Sequence, residues 1–319
     1  YIFDMGRHVA HPKVDDGVGK HDVMLKGHSK EGYGLSWSSR AAGMLLSGCH
    51  DHLVCVWDVN ANQREDAETR APYIVPKCTL DSGHTDAVAD VAWHPHHADV
   101  CGSVGDDKLL CLWDVRCSQK PTQSVVASEW GINSLSFNHI NDHVLATASG
   151  RAGAGVVSVW DTRKMGVPKR VLETHTDVVE QVEFAAHSEH ILSSTSQDRR
   201  VHILDLSRDS RSDRPDDPSE LVFVHGGHTA KVSDMSWNEH KPWLCASLSE
   251  HEKTLQVWHM NRQLIPDEEE DTASVASSYD SDALEEVLTG RPIPRIQSPA
   301  KNPSSAKMQS PAKRQALGA

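Results

Sequence analysis

No run in the sequence reaches the roughly 18 consecutive apolar residues of a membrane-spanning helix, and no leader peptide is visible. Membrane attachment is not expected. The seven cysteines are odd in number and never form a C-x-x-C pair. Most sit in apolar runs such as Leu53-Val54-Cys55-Val56-Trp57, and they read as small buried hydrophobes in a reducing compartment. The phosphate-binding P-loop, the G-x-S-x-G elbow and the H-E-x-x-H metalloprotease motif are all missing. Positive charge is in deficit: 32 Lys and Arg face 45 Asp and Glu, a formal net charge of −13. Such a chain repels nucleic acid and attracts basic partners, so direct DNA binding is not expected.

Aromatic residues are scarce at 5%, yet nine are Trp against four Tyr and four Phe. A repeat explains the skew. Gly27-His28 is followed by Trp57-Asp58, and Gly83-His84 by Trp113-Asp114. Thr174-His175 leads to Leu204-Asp205, and Gly227-His228 to Trp258-His259. A degraded copy lies between, with Ser128-Glu129 standing for Gly-His ahead of Trp160-Asp161. Each copy then shows an alternating strand, a short apolar strand carrying Ser or Thr, and a turn ending in an acid such as Asp51, Asp107 or Asp198. The periodicity predicts three short strands per copy.

These residue types suit one hydrogen-bonded chain through each copy. A buried indole N–H needs an acceptor, and a hydroxyl supplies it. The hydroxyl and a carboxylate then hold an imidazole. His28, Ser47, Asp51 and Trp57 form one such expected network, and His84, Ser103, Asp107 and Trp113 another. The same reading makes His175 and His228 structural. Trp37, Trp93 and Trp237, in the alternating strands, are expected in the core.

This pattern resembles the WD40 repeat, which implies an all-β propeller. Copies lie near residues 23–58, 79–114, 125–161, 171–205 and 222–258, with Tyr1-Ile2-Phe3-Asp4 resembling the tail of another. The expected parent is a seven-bladed ring that is incomplete in this N-terminally truncated chain, with residues 1–262 as the partial propeller. Polar insertions are expected at 60–77 and 208–220, and 263–319 reads as an acidic, then Ser/Pro/Lys-rich, disordered tail. Within the tail, Ser298 and Ser310 each open a Ser-Pro-Ala-Lys segment that suits proline-directed phosphorylation.

Two segments carry a narrower resemblance. Residues 25–37, LKGHSKEGYGLSW, and 221–238, LVFVHGGHTAKVSDMSWN, resemble the retinoblastoma-associated histone-binding WD40 family, which includes the small subunit of chromatin assembly factor. The resemblance covers about residues 1–262. It implies a nuclear subunit that binds histones H3 and H4 and links chromatin assembly, deacetylase or methyltransferase complexes to them. In that family an H4 helix is gripped between an N-terminal helix, expected outside these residues, and a late loop. The matching residues are Asp216, Asp217 and Pro218, followed by Leu221, Phe223 and Val224. One end of the propeller holds basic H3-type peptides, and Glu31, Tyr33, Asn133, Lys231 and Glu250 match there. Three positions depart: Ala89 replaces a Glu, while Val178 and Glu180 replace a Glu and a Phe.

An enzyme has little to stand on. His94, His96 and His97 could suggest a zinc hydrolase, but Pro95 marks a turn and the spacing is not that of a helical ligand pair. The glycine-rich stretch from Gly150 to Gly155 falls between strands and lacks the following helix that would hold a pyrophosphate. No catalytic residue, metal or cofactor is expected. The alternative to the histone reading is a non-chromatin interaction scaffold, such as a ubiquitin-ligase substrate receptor.

Overall fold

The computed structural model describes residues 1–3, 22–67, 71–117, 119–208 and 220–261. The expected tail, with Ser298 and Ser310, lies outside them, as do Asp216, Asp217 and Pro218. Every regular element among the described residues is a strand. Four four-stranded antiparallel sheets and one of three strands follow the chain in order. Blade 1 comprises Leu35–Trp37, Met44–Gly48, Val54–Asp58 and Cys78–Leu80. Blade 2 comprises Val88–Trp93, Val100–Gly105, Leu109–Asp114 and Gln123–Val126. Blade 3 comprises Ile132–Phe137, Val144–Arg151, Ala154–Asp161 and Arg170–His175. Blade 4 comprises Val179–Phe184, Ile191–Ser196, Val201–Asp205 and Leu221–His225. Blade 5 has Asp234–Trp237, Leu244–Ser249 and Thr254–His259. These are the blades of a β-propeller.

The sequence pattern predicts three strands per blade, and the first four blades have four. The fourth strand runs up to the next repeat's His, and in blade 3 includes it, and forms the outer edge. In blade 2 it is mostly solvent-facing, so Gln123–Val126 lacks the apolar alternation that marks a half-buried strand. The insertion at 60–77 also holds more structure than its polarity suggests. Arg64–Glu65 and Pro72–Ile74 pair with each other, and Pro72–Ile74 pairs in parallel with Met24–Leu25. Ile74 is buried, and Leu25 packs on Leu45, Cys55 and Trp57.

Apolar cores lie between consecutive blades. Leu46, Val54 and Val56 of blade 1 meet Val91, Trp93 and Trp113 of blade 2. Leu110 and Leu112 meet Leu135, Phe137 and Trp160, and Val157 and Val159 meet Val182 and Phe184. Val201 and Ile203 meet Met235, Trp237 and Cys245. The first strands of successive blades are also tied directly. Ser36 Oγ accepts from Trp93 N at 3.0 Å, Asp90 Oδ2 from Leu135 N at 3.0 Å, and Ser136 Oγ from Phe184 N at 3.1 Å. Glu183 Oε2 accepts from Trp237 N at 3.3 Å. Burial pushes the Asp90 carboxyl up to about 6 and that of Glu183 to about 8.

Trp37 departs from expectation. Trp93, Phe137, Phe184 and Trp237 hold the matching position in the other blades and are at most 6% exposed, whereas Trp37 is 56% exposed. The four matching residues face the preceding blade across a shared core. The described residues place no blade against this face of blade 1, so Leu35 is also open, at 67%.

Candidate functional site

The connection entering each blade and the turn between its second and third strands meet at one end of the propeller, where the repeat network joins them. His28 Nε2 lies 2.6 Å from Ser47 Oγ, its Nδ1 lies 3.1 Å from Asp51, and Trp57 Nε1–H donates to Ser47 at 2.8 Å. His84, Ser103, Asp107 and Trp113 repeat this at 2.7, 3.0 and 2.8 Å. In blade 4 His175 meets Ser194 and Asp198, both at 2.8 Å. The adjacent Ser193 turns to the opposite face and accepts from Trp237 Nε1. In blade 5 Ser247 serves His228 and Trp258, while Glu252 supplies the carboxylate. The sequence pattern misses Glu252 because the turn is one residue longer and lacks Asp.

The carboxylate also ties the loop. Asp51, Asp107 and Asp198 each accept the backbone N–H of the residue after the His. Residue types follow from these contacts. A Cβ at Gly83 would overlap the Trp113 ring, and one at Gly27 would crowd Trp57, so the Gly of Gly-His lets the indole approach the backbone. Burial opposes charge on His84, but its bond to Asp107 prevails and pushes the imidazole up to about 9.

The expected basic-peptide residues sit at this same end. Glu31 and Tyr33 precede the first strand of blade 1, and Tyr33 is 72% exposed with its ring 5.5 Å from His50. Asn133 donates through Nδ2 to Val179 O at 2.8 Å, bridging blades 3 and 4. Glu250 is exposed in the turn between the second and third strands of blade 5. Lys231 Nζ lies 3.9 Å from Glu180 Oε1, which also accepts from Gln197 Nε2 at 2.8 Å. Glu180, one of the departures, is thus already engaged within the chain. Ala89 and Val178 are half-buried.

Leu221, Phe223 and Val224 lie in the outer strand of blade 4, paired with Leu204, Ile203 and His202. Leu221 packs against the core between blades 3 and 4, and Phe223 against that between blades 4 and 5. The neighbouring His225 stacks on Trp258 with centroids 4.4 Å apart. Glu220, which the sequence does not distinguish from the loop before it, is buried and meets Arg170 at 3.2 Å. Arg170 also donates to Arg208 O, so one guanidinium joins Arg208 and Glu220.

His94 caps a turn. Its Nδ1 accepts from the backbone N–H groups of His96 and His97 at 3.1 and 3.2 Å, and its Nε2 meets Asp142 O at 2.9 Å. Asn138 and Asn238 cap the corresponding turns of later blades through side-chain oxygens. The His94 nitrogens are thereby committed to backbone groups. Two other groups have metal-ligand geometry: His28, Cys49 and Asp51, and His175, Asp198 and His202. In both, the repeat His is already held by its network serine and carboxylate.

Sheets repeated around shared cores, braced by His–Ser–Trp networks and carrying their loops at a common end, define a repeat-built interaction scaffold. The chain belongs to the WD domain, G-beta repeat family, which matches residues 19–58, 75–114, 166–205 and 219–259. Those segments contain His28, His84, His175 and His228, and the first three strands of blade 3 lie outside them. Proteins of this family act in general as non-enzymatic platforms for protein partners. No helix among the described residues is long and apolar enough to cross a membrane.

Proposed function

We propose that the chain is a nuclear histone-binding scaffold, which engages an H4 helix at blade 4 and links H3–H4 to chromatin assembly or histone-modifying complexes. The observation carrying this reading is the segment 221–238. Its LVFVHGGHTAK portion resembles the histone-binding family, and its leading strand adjoins the acidic Asp216-Asp217-Pro218 stretch. A basic amphipathic helix suits such a place. Carboxylates pair with its Lys and Arg, while an apolar strand receives its greasy face. Arg170 holds Arg208 and Glu220 together at the foot of that strand. A net charge of −13 favours basic partners over DNA.

The H3-type contact has fewer partners here than the resemblance implies. Ala89 and Val178 lack the carboxylates that would hold Arg or Lys, and Glu180 is shared with Lys231 and Gln197. The test is titration of a labelled peptide of the first H4 helix against the protein. Binding at micromolar affinity, lost in the Asp216→Lys/Asp217→Lys variant, is expected. Equal binding by the variant, or none by the parent, overturns the reading.

A further inference from the structure

Blade 3 has lost both the imidazole and the carboxylate of its network, and Ser128 at the His position lines an open cleft beside Trp160. In the other four blades the repeat His precedes its serine partner by 19 residues. The corresponding hydroxyl in blade 3 is Thr147, which accepts from Trp160 Nε1 at 3.0 Å. Counting back by the same interval gives Ser128, so it is Ser128, rather than Glu129 beside it, that occupies the His position. The carboxylates of blades 1, 2 and 4 follow their His by 23 residues. The same step from Ser128 reaches Arg151. Its guanidinium lies over the Trp130 ring, 5.5 Å from the centroid. Ser128 Oγ accepts from Trp130 N at 3.0 Å, curling the loop locally.

The hydroxymethyl group of Ser128 fills less of the space beside Trp160 than an imidazole would. An open cleft of about 460 Å³ lies between the loop leaving blade 2 and the third and fourth strands of blade 3. Its size falls within the roughly 300–1,000 Å³ typical of ligand sites. The buried Trp160 and Val156 line it, as do Val126 and Val171, which are 68% and 51% exposed. Glu129 and Glu173 also line it, are exposed, and form no ion pair among the described residues. The arrangement combines apolar walls for a methylene chain with carboxylates for a charged end.

We propose that this cleft is a binding site for a lysine side chain of a basic peptide segment. The aliphatic stem would lie along the valines and Trp160, and the ammonium would meet Glu129 and Glu173. The charge suits an acidic chain with a −13 balance. The site is separate from the blade 4 strand, so it stands or falls independently of H4 binding.

The test titrates the protein with Ac-Ala-Lys-Ala-NH2 and its norleucine counterpart, read by the indole NMR resonances of Trp130 and Trp160. The lysine peptide is expected to bind at least fivefold more tightly. Ser128→His restores the residue used by four other blades, so it should keep or raise the Tm while abolishing the shifts. Glu129→Gln/Glu173→Gln should weaken lysine binding at least fivefold and leave norleucine binding unchanged. Equal response to the two peptides, or undiminished binding in a folded Ser128→His variant, would overturn the proposal.

Discussion

His84 Nδ1 and Asp107 Oδ2 meet at 3.0 Å with side chains only 1% and 4% exposed. Burial alone would discharge the imidazole, but the carboxylate holds its proton and moves the His84 pKa from 6.5 to about 9. The folded state therefore binds more protons than the unfolded state across that interval. The stability this supplies is complete below about pH 6.5 and is lost as pH rises through about 9. Asp107 is held below the usual carboxylate range, although burial opposes this, so its share is lost on the acid side. Asp107→Asn should cost roughly 3 kcal/mol near pH 6 and much less at pH 10. Thermal melts across that range measure the difference; a pH-independent penalty would contradict the charged pair.

Glu183 gives a slope of the same sign in a lower pH window. Burial lifts its carboxyl to about 8, so ionisation is disfavoured in the fold, although Oε2 still accepts from Trp237 N. Stability should fall as pH rises from about 4.5 to about 8, since the folded state again retains the proton. Glu183→Gln keeps an acceptor oxygen and removes the charge. It should raise the Tm at pH 8 by about 2–4 °C per kcal/mol recovered and change little at pH 5. Melting curves at the two pH values, parent against variant, decide it.

The repeat made the blades legible because its residues bond one another: Gly, His, Ser, Asp and Trp recur at fixed steps for direct geometric reasons. Blade 3 was legible only as a degraded copy. Its longer hairpin, in which Gly150 pairs with Gly155, displaces Trp160 relative to the earlier part of the repeat. Ser128 precedes Trp160 by 32 residues against 29 or 30 elsewhere, so aligning Ser128-Glu129 with Gly-His places the vacancy one residue too late, at Glu129. Fourth strands were hidden because their outer edges face solvent and need no apolar alternation. Trp37 misled for the reverse reason, since a core-type residue is buried only where a neighbour covers it. The contact of Arg170 with Glu220 was beyond sequence reasoning, because the two lie 50 residues apart.

Trp37 and Trp93 allow a direct comparison of one repeat position with and without a facing blade. Trp93 is 6% exposed within the core between blades 1 and 2, and Trp37 is 56% exposed. Trp93→Ala should cost about 3–5 kcal/mol through lost burial and an unfilled cavity. Trp37→Ala should cost under about 1 kcal/mol, as for an open surface position. Urea unfolding of the two variants measures both. Equal losses would mean that the open face of blade 1 is covered in the protein.

Ala89 offers a gain-of-function test at the loop end. It is half-buried in the first strand of blade 2, beside Asp90, whose carboxyl is raised to about 6 by burial. The histone-binding resemblance places a Glu there, and its loss removes one partner for an Arg or Lys. A restored charge-assisted hydrogen bond is worth about 1.5–3 kcal/mol, or roughly 10- to 150-fold in affinity. Ala89→Glu should therefore tighten binding of an H3 N-terminal peptide by at least tenfold. It should leave an acidic peptide of equal length unbound. The gain should shrink as salt rises, because a contact near the surface is screened. Isothermal titration at low and physiological salt checks both magnitude and sign. An unchanged H3 affinity at either salt would place basic-peptide recognition elsewhere on the molecule.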